Sequence, residues 1–267
     1  MLDKTAIVLL LALLLLVPDA RGELQNAPGV FGTDDRVAVD STVWPWLAIG
    51  LLQRKVGGAC TATLVTENAV LTAAHCLFDR RGGRQLAPSE VQFLPGYRDG
   101  KGVAVALAQG FILSSPHGET TPTITNMRTD WALVVLSKPL AIRPVPLKSL
   151  PAKGGDHDPA IGQAVSRAGY SEDRHNRLSV DPSCHILHRE PADRFLFTDC
   201  DTLKGDSGSP VLTQGPAGYQ VVGVVSGLLE DDRGRPGVVV VHAGSILTAL
   251  RKLNMSGVSL PGAEVSH

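Results

Sequence analysis

The stretch Gly205-Asp206-Ser207-Gly208-Ser209-Pro210 sets a serine between two glycines, and two earlier segments answer it: Leu71-Thr72-Ala73-Ala74-His75-Cys76 and Thr129-Asp130-Trp131-Ala132-Leu133. A serine hydroxyl alone is a weak nucleophile. An imidazole within hydrogen-bond reach must take its proton as attack proceeds. A buried carboxylate on the other ring nitrogen fixes the tautomer and stabilises the imidazolium that forms. His75, Asp130 and Ser207 are the residue types for these three parts. Charge developing on an attacked carbonyl oxygen needs aimed N–H donors. A glycine two residues before the serine lets the backbone turn so that two amides converge, which makes Gly205 and Ser207 the expected donors. Any one of these segments could arise by chance. Their order along the chain and their flanking residues give the set its weight.

Around these segments the chain reads as short, Val-rich runs bounded by Gly, Pro, Asp and Ser, the pattern of strands joined by turns. Strands are expected over 46–53, 59–65, 69–72, 91–95, 103–111, 132–136, 164–168, 195–199, 210–212, 220–226 and 237–242. Residues 246–253 carry Ile246, Leu247, Leu250 and Leu253 at helical spacing and predict a C-terminal helix. Many short strands with one late helix argue an all-β barrel or sandwich. Residues 137–152 hold four prolines and read as a linker between two halves. The tail, 257–267, is expected to fray.

At the N-terminus, Lys4 precedes an apolar run, 6–17, closed by Pro18. That run is short of the roughly 20 residues a membrane-spanning helix needs and fits the core of a secretory signal peptide. Cleavage is expected after Gly22, leaving a short leader over 23–29 and a main domain over 30–256. Export places the four cysteines in an oxidising compartment, extracellular or periplasmic. Four cysteines allow three pairings; nearness in sequence suggests Cys60 with Cys76 and Cys184 with Cys200. No C-x-x-C spacing occurs, so no metal is expected there. A net charge of −1 over 267 residues carries no signature of nucleic acid or of an anionic membrane surface. No cofactor is expected.

The set resembles the trypsin/chymotrypsin serine peptidases, in their compact bacterial or glutamyl endopeptidase-like branch. The resemblance covers most of the chain. It runs through Trp44-Pro45-Trp46, Cys60-Thr61-Ala62-Thr63-Leu64-Val65, Asp130-Trp131-Ala132-Leu133 and Pro236-Gly237-Val238. Ser209, where the wider family has a second glycine, points to the compact branch. The resemblance implies two antiparallel six-stranded barrels, the first over about 30–136 and the second over about 153–245, with the site between them. It implies a monomeric, secreted endopeptidase acting on polypeptides. The other class it admits is a catalytically silent binding or regulatory protein on the same fold. It also implies that Asp201, six residues before Ser207, forms the base of a pocket for Arg or Lys, walled by Ser226, Gly227 and Gly237. Finally, it implies activation by another protease: a freed Val30 amine would insert and pair with Asp206.

Overall fold

The computed structural model describes residues 28–79, 83–114, 124–151, 158–190, 192, 194–230 and 234–255. The expected signal peptide, its cleavage site and the tail lie outside them. Six strands close the first barrel: β2 (Ile49–Arg54), β3 (Ala59–Thr66), β4 (Ala69–Thr72), β5 (Val91–Pro95), β6 (Ala106–Leu113) and β7 (Ala132–Leu136), in the order β2-β3-β4-β7-β6-β5. The second barrel holds β8 (Ala164–Gly169), β9 (Ser179–Arg189), β10 (Phe195–Thr198), β11 (Pro210–Gly215), β12 (Gly218–Glu230) and β13 (Pro236–His242). Its order is β9-β10-β13-β12-β11-β8, closed by the β8–β9 pairing. All pairings are antiparallel. Closure leaves no long edge for another chain to extend.

The burial explains why these runs became strands. Every residue of β4 is buried, and the four consecutive valines of β13 are fully buried. A strand covered on both faces loses the polar alternation of a half-exposed one and reads as a continuous apolar run. One core cluster runs through the first barrel and continues into Ala168, Tyr170, Leu178, Val180, Val224 and Val241 of the second half. The barrels therefore share packed side chains. The proline-rich linker is stapled to both: Val145 N–H donates to Leu64 O at 2.9 Å, and Lys148 N–H donates to Val221 O at 2.8 Å.

Three elements differ from the sequence reading. β9 was not expected, because Asp181-Pro182-Ser183 interrupts its apolar pattern. Those residues sit at a bulge, where Val165 pairs with Cys184 and Arg167 with Asp181, and a bulge tolerates a proline that lacks an N–H. Residues 30–38 do not belong to the first barrel. β1 (Val37–Ala38) pairs with β9, so the N-terminal segment lies on the second. The last helix, α1 (Ala243–Met255), begins three residues before the expected 246. It lays Ile246, Ala249 and Leu250 on the shared core.

Disulfides join Cys60 to Cys76 and Cys184 to Cys200, each across 16 residues. The first ties β3 to the helical turn Ala74–Leu77 that carries His75. In the chain-entropy account a loop of this size is worth roughly 3 kcal/mol. Replacing Cys60 and Cys76 together by alanine should lower unfolding free energy by roughly 2–5 kcal/mol, read from urea unfolding in a Ser207→Ala background that excludes self-digestion. An unchanged midpoint would contradict this.

Candidate active site

His75 leaves β4 on a single helical turn, and Asp130 closes the turn before β7, with its N–H donating to Met127 O at 3.2 Å. The Asp130 carboxylate is 5 % exposed. Its Oδ1 accepts the His75 backbone N–H at 2.8 Å, and its Oδ2 lies 2.6 Å from His75 Nδ1. The Ser226 hydroxyl of β12 donates to the same Oδ2 at 2.6 Å. Burial opposes ionisation of Asp130. The His75 ring, the Ser226 hydroxyl and the His75 amide outweigh it and hold the carboxyl below its ordinary value. Because Nδ1 is engaged, Nε2 is the ring nitrogen left to exchange a proton.

Ser207 enters from the second barrel. Gly208 N–H donates to Val225 O at 2.8 Å, and Val225 N–H returns a bond to Ser209 O at 2.9 Å. From the first barrel, Thr61 clamps the loop twice. Its N–H donates to Ser207 O at 2.9 Å and its hydroxyl to Gly205 O at 3.1 Å. The same hydroxyl accepts Tyr170 N–H at 3.0 Å. Thr61 follows Cys60, and the partner sulfur of Cys76 lies 3.9 Å from Ser207 O. Position 208 has φ +84°, and a Cβ there would collide with Thr61 O and Thr72 Oγ1. Glycine is what lets the two barrels touch beside the serine. Among the described residues, neither Gly205 N–H nor Ser207 N–H is spent on a protein acceptor.

Asp206 is paired inside the protein. Its side chain and that of Arg167 are both 0 % exposed, with Nη1 2.9 Å from Oδ1. Ser171 Oγ donates to Oδ2 at 2.7 Å and Leu203 N–H at 2.9 Å. Arg167 also donates to Asp201 O. Gly169 makes room, since a Cβ there would run into Ser209 Oγ and Asp206 Oδ1. In the uncut chain, with Gly29 still joined to Val30, the cation beside Asp206 is Arg167. Arg167 was missed because it lies in a β-strand reading as apolar, and a buried arginine needs a carboxylate distant in sequence to explain it.

The expected pocket residues separate. Ser226 serves Asp130, as described. Asp201 is 2 % exposed. Its Oδ1 accepts Phe31 N–H at 2.7 Å, and its own N–H donates to Asp181 Oδ2 at 2.7 Å. Burial first, and the Asp181 charge against the Phe31 bond, push its carboxyl up to about 6. It thus faces the N-terminal segment and β9. Nor is Gly237 beside open space, because the Phe197 ring fills the volume a side chain there would take. At Gly227 the nearest group is the Met127 methyl, 3.2 Å from where a Cβ would stand. Gly29 lies between Thr202 and Leu228, its carbonyl accepting Thr202 N–H at 2.7 Å.

The trypsin family model matches residues 35–247. The chain belongs to the trypsin family of serine-type endopeptidases. Serine protease 23 of Rattus norvegicus is 27 % identical over 219 residues, 72 % of this chain and 53 % of that protein. Glutamyl endopeptidase of Bacillus licheniformis is 27 % identical over 188 residues, 69 % of this chain and 55 % of that protein. The chain thus spans about half the length of these relatives. A solved Glu endopeptidase in complex with MPD superposes with TM-score 0.67 at 20 % identity, covering 85 % of this chain and 99 % of that one, which shows the shared fold.

A buried ion pair is strongly destabilised when one partner is removed, because the other charge remains uncompensated. Arg167→Ala should cost about 3–5 kcal/mol in denaturant unfolding. Adding Asp206→Asn to Arg167→Ala should recover part of it. Equal stability of the single variant and the parent would contradict the pairing.

Proposed function

We propose that this chain is an exported serine endopeptidase that hydrolyses polypeptides through an acyl-enzyme. The observation that carries the reading is the Asp130 carboxylate, which takes His75 Nδ1 at 2.6 Å, the His75 amide and the Ser226 hydroxyl at once. That geometry reserves Nε2 for proton transfer. In the proposed reaction Ser207 Oγ attacks the peptide carbonyl carbon while His75 Nε2 takes the hydroxyl proton. The oxyanion is received by the Gly205 and Ser207 amides. His75 then gives the proton to the departing amine as the C–N bond breaks. Water, deprotonated by the same nitrogen, hydrolyses the ester and restores Ser207. A silent binding protein on this fold would have no use for a buried carboxylate ionised toward the histidine. Two disulfides support an oxidising destination. Among the described residues no helix is long and apolar enough to cross a membrane.

The expected preference for Arg or Lys rested on Asp201. Its carboxylate accepts Phe31 N–H, so a cationic P1 side chain would leave its charge unpaired, which is costly. The reading therefore favours an uncharged P1 residue. With Asp206 supplied by Arg167, the proposed enzyme also does without an activating cut at Val30.

Peptides differing only at P1 test this. Cleavage with uncharged P1 residues at rates at least tenfold above Arg and Lys, about 1.4 kcal/mol in transition-state terms, is expected. Ser207→Ala should abolish it. Fast cleavage after Arg or Lys would return Asp201 to the pocket, and cleavage by Ser207→Ala would remove the mechanism.

A further inference from the structure

Behind the loop that carries Ser207, three carboxylates from distant parts of the sequence converge. Asp35 lies on the N-terminal segment, Asp181 on β9 and Asp201 just after Cys200. Each offers an oxygen, and the three oxygens lie within 4.8 Å of one another. Asp181 and Asp201 are 3 % and 2 % exposed, while Asp35 is open to solvent.

Backbone donors account for part of the cluster. Asp201 N–H and Ser183 N–H donate to the two oxygens of Asp181, and Phe31 N–H donates to Asp201 Oδ1. Asp201 Oδ2 is buried and has no hydrogen-bond partner. A buried carboxylate oxygen left without a donor carries the full cost of its lost hydration. The nearby cations are committed elsewhere. Arg36 pairs with Asp34 and Asp173, and Arg167 pairs with Asp206. Among the described residues no salt bridge reaches Asp35, Asp181 or Asp201, and Asp34 adds a further negative charge beside Asp201. The crowding is thus three carboxylates, with one buried oxygen left without a donor.

We propose that Asp35, Asp181 and Asp201 bind a calcium-class cation through their carboxylate oxygens. Calcium takes six to eight oxygens at about 2.3–2.6 Å in irregular arrangements, and ligand oxygens of one ion stand within roughly 5 Å of each other. The exposed Asp35 side admits water to complete the shell. The donors are all hard oxygens, with no imidazole or free thiol among them, which disfavours zinc and copper. Magnesium demands near-ideal octahedral geometry and sheds its water reluctantly, which a site with two backbone-tethered carboxylates does not provide. No sequence spacing could show this site, since its members are separated by 146 and 20 positions. The bound ion would pin the segment 28–36 to the loop leading to Gly205 and Ser207. It would act as a stabilising clamp outside the catalytic groups.

The test uses the full chain carrying Ser207→Ala, stripped with chelator and returned to neutral pH, so that it is independent of the peptidase reading. Thermal unfolding and isothermal titration calorimetry are followed with millimolar calcium chloride, magnesium chloride or sodium chloride at matched ionic strength. Saturable calcium binding is expected, with a rise of several degrees in Tm that magnesium reproduces weakly and sodium not at all. Adding Asp35→Asn, a change at an exposed side chain, should weaken calcium binding at least tenfold while leaving the metal-free Tm near that of the parent. No saturable calcium heat, or the same affinity in Asp35→Asn, would overturn the proposal. A Tm that rises on acidification through pH 6 but is indifferent to calcium would overturn it too, because the orphaned oxygen would then be satisfied by a proton.

Discussion

A carboxylate buried beside Ser207 must find a cation, and the rest of the candidate site is arranged around how Asp206 finds one. Moving an ion pair out of water costs several kcal/mol per charge unless geometry and further hydrogen bonds compensate. Here Arg167, Ser171 and the Leu203 amide supply them. Since Asp206 sits between Gly205 and Ser207, fixing its side chain fixes the turn that presents their two amides. Arg167 also reaches the carbonyl of Asp201, so one guanidinium braces both ends of the loop.

The second requirement is registration between barrels. His75 and Asp130 belong to the first and Ser207 to the second, and small displacements of a catalytic group cost large factors in rate. Three contacts set the register. Thr61 holds Gly205 O and Ser207 O from β3, Ser226 holds Asp130 from β12, and Gly208 permits backbone to meet backbone. The Cys60–Cys76 disulfide joins the strand that grips the serine loop to the turn that carries the histidine. A change in either would be felt by both.

The sequence made the strands legible where burial was two-sided. β4, β5 and β7 match the expected spans 69–72, 91–95 and 132–136, because continuous apolar runs between turn residues admit few other readings. β9 was hidden by Pro182 at its bulge. The local flanks of His75, Asp130 and Ser207 were equally legible, since each is a short motif. What could not be read were partnerships made across the fold. Arg167 with Asp206, Thr61 with Gly205, and Asp201 with Phe31 and Asp181 join residues 20 to 170 positions apart. The resemblance pairs Asp206 with a freed Val30 amine, whereas in the uncut chain the cation beside it is Arg167. It likewise placed Asp201 in a pocket, whereas in the fold Asp201 is buried against the N-terminal segment and accepts Phe31 N–H.

In the proposed enzyme the internal Arg167–Asp206 pair completes the site before any cut at Val30. The most direct measurement is intact-mass and peptide-mapping mass spectrometry of secreted protein beginning at Glu23, after exposure to a serine-directed fluorophosphonate. One adduct is expected, on Ser207, lost in His75→Ala, and formed at the same rate when the protein is trimmed to begin at Val30. An adduct that appears only after trimming, or that falls on another residue, would contradict it.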